Sequence, residues 1–217
     1  MMGVIEDLSR TLAQAWGDQE KLVVMWHEST AMPEFENALL RAVAEEHWRN
    51  FQLWHVEDRA RRTDIGDAAV AECKRRIDAL NQERNDCMER VDQVVVEMIQ
   101  EHLPSLPDGH QSPRYNTESL GAAVDRMSIL SLKIYHMIEQ ATRPDVNDAF
   151  RQDCRDKVEV LKRQRDDLAR SVSDLVEDYA MGLKRPRIFR QFKMYNDPKL
   201  NPELQSQART DSGGEAL

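Results

Sequence analysis

The chain has 217 residues, 41% of them apolar and 32% charged, with a formal net charge of −9. That apolar content suffices for one domain with a core, and the acidity argues against nonspecific nucleic-acid binding, which needs a broad basic face. Three scattered cysteines without a C-x-x-C pair exclude a disulfide framework and a cysteine zinc site; with no 18-residue apolar run and no basic leader, a cytoplasmic protein without a membrane span is expected.

Helix formers dominate and β-branched alternation is nearly absent, so the predicted fold class is all-α. Residues 4–29 read as one or two short helices carrying Trp16 and Trp26. A helix over 33–62 follows, then a turn over 62–67 with Asp67 as the N-cap of a helix reaching about residue 103. Residues 104–116 are rich in Pro, Gly and Ser and form the long internal loop. The next helix runs from about Thr117, capped by Thr117 or Ser119, to about Arg143. A turn over 144–148 leads into a last long helix that stops at Gly182, before Pro186. A basic arm over 184–204 completes a single domain of residues 1–204, and the polar tail over 205–217 is expected to be disordered.

Sliding the sequence by 81 positions aligns residues 38–98 with 119–179 without a gap. Trp54-His55 falls on Tyr135-His136, Arg62-Thr63-Asp64 on Arg143-Pro144-Asp145, Cys73 on Cys154, and Arg84 on Arg165. The pattern predicts two copies of one αα-hairpin, each with an apolar stripe that it cannot bury alone. Packed together, they make a four-helix bundle with a pseudo-two-fold axis.

Charges fall on the stripe. Ile77, Leu80, Met88, Val91 and Val95 mark the inner face of one helix, and Asn81 and Arg84 share it. Trp48, Phe51 and Trp54 mark the inner side of the preceding helix, with His55 and Asp58 in their sector. The second half offers His136, Glu139 and Arg165, with Asp125 on the same flank. Buried charges require partners. One reading is a register-fixing network, Arg84 with Asp58 and Arg165 with Glu139. The other is a polar cavity. The halves differ at Glu57/Ile138, Asn81/Lys162 and Ala44/Asp125, which favours one site rather than two.

A di-metal centre needs carboxylates from four helices and Glu-x-x-His pairs; here the order is reversed, so no such centre is predicted. Glu57, Asp58 and Asp125 are a candidate set for one divalent ion such as Mg²⁺. Glu89-x-x-Asp92 matches half of the acidic pairs of helical nucleotide pyrophosphatases, a common pattern on solvated faces. No phosphate loop or nucleophile elbow is present in the sequence. Residues 184–195 carry five positive charges and three aromatics, either folding back on the acidic helices or meeting a phosphate or partner.

Three segments carry a family likeness: Asn50-Phe51-Gln52-Leu53-Trp54-His55-Val56-Glu57-Asp58-Arg59, Leu80-Asn81-Gln82-Glu83-Arg84-Asn85-Asp86, and Asn116-Thr117-Glu118-Ser119-Leu120-Gly121 running into Asp125-Arg126-Met127-Ser128. With the tail Lys193-Met194-Tyr195-Asn196-Asp197-Pro198, they resemble the bacterial family catalogued as domain of unknown function 4254, Met127 standing where Leu is expected. The resemblance implies a helical fold, no assigned activity, and an association with cell-envelope sugar transfer.

The expected site binds a small anionic ligand, a sugar phosphate or nucleotide, in a polar core pocket. Arg84 and Arg126 pair with the anion. Asn50, Trp54, Asn81 and Asp125 complete the ligand-binding set. Glu57 and Asp58 hold a cation or act as general base, and His55 orients or relays a proton. The alternative is a structural or adaptor protein with a salt-bridge network at its core. Whether catalysis follows binding, and whether the chain self-associates, stay open at this point.

Overall fold

A computed structural model describes residues 2–107, 109, 112–194, 197 and 199–205. The protein is all-helical: α1 (Met2–Glu28), α2 (Ala38–Ala60), α3 (Asp67–Ile99) with a 3₁₀ turn after it (Gln100–His102), α4 (Leu120–Thr142) and α5 (Asp148–Ala180). Among the described residues there is no strand, only an isolated bridge between Arg114 and Lys184. No helix among them is long and apolar enough to cross a membrane. The tail over 205–217 lies outside the described residues, apart from Gln205.

Side-chain caps set most helix starts. Asn37 Oδ1 accepts from the backbone N–H groups of Leu39 and Leu40, so α2 begins at Ala38 and not at residue 33. Ser119, not Thr117, caps α4, and Asn147 caps α5. The turn before α3 differs from expectation. Gly66, at φ 77°, occupies the N-cap position, and Asp67 is the first helical residue, where its charge favours the helix dipole.

The N-terminal segment is one helix of 27 residues. Of the one or two helices expected over 4–29, the structure has one, with Gly17 inside it. Burial outweighs its propensity cost of about 1 kcal/mol: Leu8, Leu12, Ala15, Leu22, Val23 and Trp26 are all buried. At roughly 1.5–3 kcal/mol per large side chain, that burial is comparable with the whole stability of a domain.

α2 packs against α3, and α4 against α5; α4 also contacts α2 and α3, and α1 lies along α2, α4 and α5. All five helices feed one apolar core, including Leu8 and Leu12, Leu39 and Val43, Val91, Val95 and Ile99, Val124, and Val172, Val176 and Tyr179. A second cluster joins Leu22, Val23 and Trp26 to Phe51 and Leu132. At the start of α4 the backbones nearly touch: a Cβ added to Gly121 would stand 2.1 Å from the Met88 carbonyl oxygen. Buried Asp92 on α3 seals this junction by accepting the Gly121 N–H at 2.7 Å. Asp92 is thus a buried cap rather than a member of a solvated acidic pair.

Candidate functional site

Polar groups on α2, α3 and α4 converge on a cleft of about 390 Å³. Asn50, Trp54, Glu57, Asp58, Arg61, Asn81 and Arg84 line it, over Leu53, Ile129 and Leu132. These positions recur at three- and four-residue spacing along two packed helices, which is why one face can gather them.

Arg84 reaches from α3 to α4. Its Nε donates to Asp125 Oδ1 at 2.6 Å and its Nη2 to Oδ2 at 2.5 Å, a bidentate pair. The Asp125 side chain is 5% exposed and that of Arg84 25%, so the carboxylate is sealed while the guanidinium keeps an edge toward the cleft. The Nη1 of Arg84 also reaches Asn81 Oδ1 at 3.4 Å. Burial pushes Asp125 toward protonation, but the hydrogen bonds and charge of Arg84 outweigh it and hold the carboxyl below its ordinary range.

Behind this pair lies a polar chain that sequence reasoning missed. Glu46 is fully buried; burial first, then the Asp125 charge, raises its carboxyl well above the ordinary value, and its Oε2 has no hydrogen-bond partner among the described residues. Asn50 Nδ2 donates to Glu46 Oε1 at 2.5 Å, to Asp125 Oδ1 at 2.9 Å and to Ser128 Oγ at 2.9 Å. The Ser128 hydroxyl donates to His47 Nδ1 at 2.7 Å, and His47 Nε2 donates to the Gln19 carbonyl of α1 at 2.9 Å. A carbonyl only accepts, which fixes that tautomer. Burial lowers the His47 pKa to about 3, so the ring is neutral. The signal for Glu46 and His47 was positional: with Leu39, Val43 and Asn50 they follow the buried stripe of α2.

The basic arm folds back on α3. Glu89 accepts from Arg190 Nη1 at 2.7 Å and from the Gln191 N–H at 2.6 Å. Lys184 pairs with Asp178 at 2.9 Å, and Arg187 sits over the Tyr115 ring. Lys193 lines a separate groove with Asp86 and Glu89; partial burial, then the like charge of Arg84, lowers its pKa.

Two expected residues stand apart. Arg126 is on the surface, paired with Glu118 at 2.8 Å in a separate groove beside Asn116 and Lys133. His55 is not part of the cleft lining; it meets His27 and His136 at ring-centroid distances of 5.1 and 5.5 Å. Burial, then the charges of those two histidines, lowers its pKa. The expected pairings also change. Arg84 takes Asp125 and not Asp58, while Arg165 takes Ser131 Oγ, the Trp16 carbonyl and Glu20 instead of Glu139. Arg84 occupies both oxygens of Asp125 and Glu57 is tied to Arg61 at 2.7 Å, so Glu57, Asp58 and Asp125 do not assemble as a cation site.

The sequence model of a family described as "Protein of unknown function (DUF4254)" matches residues 40–188. No curated protein and no solved structure matches the chain.

Proposed function

This chain belongs to the DUF4254 family of proteins of unknown function, and we propose that it is a single-domain duplicated hairpin whose cleft between α2, α3 and α4 binds a small anionic molecule of the sugar-phosphate or nucleotide class. The observation that carries this reading is Arg84, immobilised by sealed Asp125 yet open at one edge beside Asn81 and Trp54. A guanidinium already fixed in place loses little freedom on meeting an anion. Trp54 offers a flat apolar wall beside it. On this reading Glu57 and Asp58, on the cleft wall, would serve as general base.

Four features support duplication and a four-helix bundle within the fold. α2 and α4 each have 23 residues, and α3 and α5 each have 33. α3 and α5 begin and end 81 positions apart. Arg62 clamps Asp64 in the first turn as Arg143 clamps Asp145 in the second. The hairpins nevertheless diverge where α1 lies: the Trp16 carbonyl and Glu20 cover Arg165, whereas its counterpart Arg84 faces the cleft. That asymmetry favours one site per chain.

The test is thermal-shift screening against nucleotides and sugar phosphates, with and without Mg²⁺, followed by calorimetry of any hit. The expected result is unit stoichiometry, lost in Asn81→Ala and Arg84→Lys and kept in Lys162→Ala, the counterpart position in the second half. Failure of every anion to stabilise the protein would leave the buried chain as a purely structural network.

A further inference from the structure

A second cluster of chemistry stands beside the cleft, made by three helices. His27 lies in the last turn of α1, His55 on α2 and His136 on α4. One ring nitrogen from each lies within 4.8 Å of the other two. The rings meet at steep interplanar angles of 75°, 69° and 82° rather than stacking, so their edges turn toward a shared centre.

The hydrogen bonds fix which nitrogens are free. His27 Nδ1 is 2.7 Å from the Val23 carbonyl oxygen, which only accepts, so Nδ1 carries the proton and Nε2 the lone pair. His136 Nδ1 donates to Glu139 Oε2 at 2.6 Å, so that in the neutral ring Nε2 carries the lone pair. That Nε2 is buried and has no hydrogen-bond partner among the described residues. A buried acceptor without a donor is unfavourable, and a metal ion supplies what it lacks. A histidine that gives its other N–H to a carboxylate or a backbone carbonyl is the usual outer-shell arrangement of a metal ligand, since that bond fixes the tautomer and makes the free nitrogen more basic. Aromatic walls hold the rings: Trp54 lies flat on His136 at 4.7 Å, and Tyr135 on His27 at 4.3 Å.

We infer that His27, His55 and His136 form a binding site for one divalent transition-metal ion of the zinc class, with Glu139 and the Val23 carbonyl as its outer shell. Three neutral imidazoles suit Zn²⁺, Co²⁺, Ni²⁺ or Cu²⁺ and not Mg²⁺ or Ca²⁺, which take oxygen ligands. Nitrogens at 2.0–2.1 Å from a tetrahedral zinc stand about 3.3 Å apart, so loading draws the present cluster together by at most about 1.5 Å. Histidine χ2 is broad enough to supply much of that movement. Three protein ligands leave a fourth position for water or a ligand atom. Trp54 belongs both to the cleft wall and to the stack on His136, which places the ion at the margin of the cleft.

The site is testable with metal alone, independently of any anion. Tag-free full-length protein is stripped with chelator, then titrated with Zn²⁺ against a chromophoric competitor and with Co²⁺ by visible absorption; circular dichroism checks the helicity of each variant. One ion per chain is expected, with affinity falling at least about 100-fold in His27→Ala and His136→Ala. Glu139→Gln, which keeps all three ligands, should lose about 10–100-fold through the outer shell alone. His102→Ala, remote in sequence in the 3₁₀ turn, serves as the control and should bind as wild type. No uptake tighter than about 100 µM, or uptake indifferent to His27→Ala and Glu139→Gln in variants of native helicity, would overturn the site.

Discussion

Arg84 on α3 holds both oxygens of Asp125 on α4, so a single guanidinium joins the open cleft to the sealed interior between two helices. Asp125 in turn accepts from Asn50, and the contact extends to α1 through Ser128 and His47.

Removing Arg84 strands that carboxylate. Arg84→Met should destabilise the protein by about 3–5 kcal/mol, the cost of breaking a buried pair by deleting one partner. Arg84→Met combined with Asp125→Leu should recover much of the loss, because the penalty lies in the unpaired charge. Urea denaturation measures wild type and both variants; a loss under about 1 kcal/mol in the single variant would mean that water reaches Asp125.

Glu46 and His47 pull the pH dependence of stability in opposite directions. His47 titrates at about 3 in the fold and ordinarily at 6.5, so below 6.5 the unfolded chain binds the extra proton and stability falls as pH falls. Glu46 is raised from 4.5, so above 4.5 the folded chain keeps a proton that the unfolded chain has lost, and stability falls as pH rises. Just above 4.5 the two proton differences oppose each other, so the pair adds little net pH slope there. Glu46→Gln leaves only the His47 limb, so relative to wild type it should gain stability as pH rises above 4.5, at most about 1.4 kcal/mol per unit. Denaturation profiles of variant and wild type at half-unit pH steps that ran parallel above pH 4.5 would mean that Glu46 is ionised in the fold.

One substitution should have opposite signs at two glycines. Gly17 sits inside α1, and an added Cβ there meets nothing within 4 Å, so Gly17→Ala should stabilise by about 0.5–1 kcal/mol. Gly121→Ala drives a methyl into the Met88 carbonyl and presses on Asp92, and should destabilise by at least about 2 kcal/mol. Melting temperatures of the two variants read the signs directly.

The arm should be held kinetically more than thermodynamically. Glu89→Gln weakens the anchor for Arg190 and for the Gln191 N–H, and limited proteolysis should cut residues 185–193 faster. Global stability should change by under about 1 kcal/mol, because the Arg190 side chain is 55% exposed and its ion pair is screened. Equal cleavage rates in variant and wild type would place the anchor elsewhere.

The helices from α2 to α5 were legible because their turns carry caps and their apolar residues recur at helical spacing. For α1 the sequence left one or two helices open, and the buried run of Leu8, Leu12, Ala15, Leu22 and Trp26 makes it one. Asn81 and Arg84 stood out as charge and polarity on an apolar stripe, and they do line one cleft with Trp54, Glu57 and Asp58. Glu46 and His47 were hidden in an acidic run, Glu45-Glu46-His47, that resembles a solvated face. His27 carries no local signal at all: what brings it to His55 and His136 is the seating of α1 against two other helices, which no spacing along the chain records.

The chain of contacts from Asn50 to Gln19 admits one assignment of its hydrogens. The Gln19 carbonyl can only receive, which makes His47 Nε2 the giver and Nδ1 the receiver; Ser128 must then give to the ring and receive from Asn50. Every link is directional, and the links cross from α1 to α2 to α4. A helix that slid by one residue or rolled by a third of a turn would set giver against giver, an error that interchangeable apolar side chains tolerate far better. The chain works as the wards of a lock do: it adds little to the grip of the core, but only one alignment of the three helices lets it close.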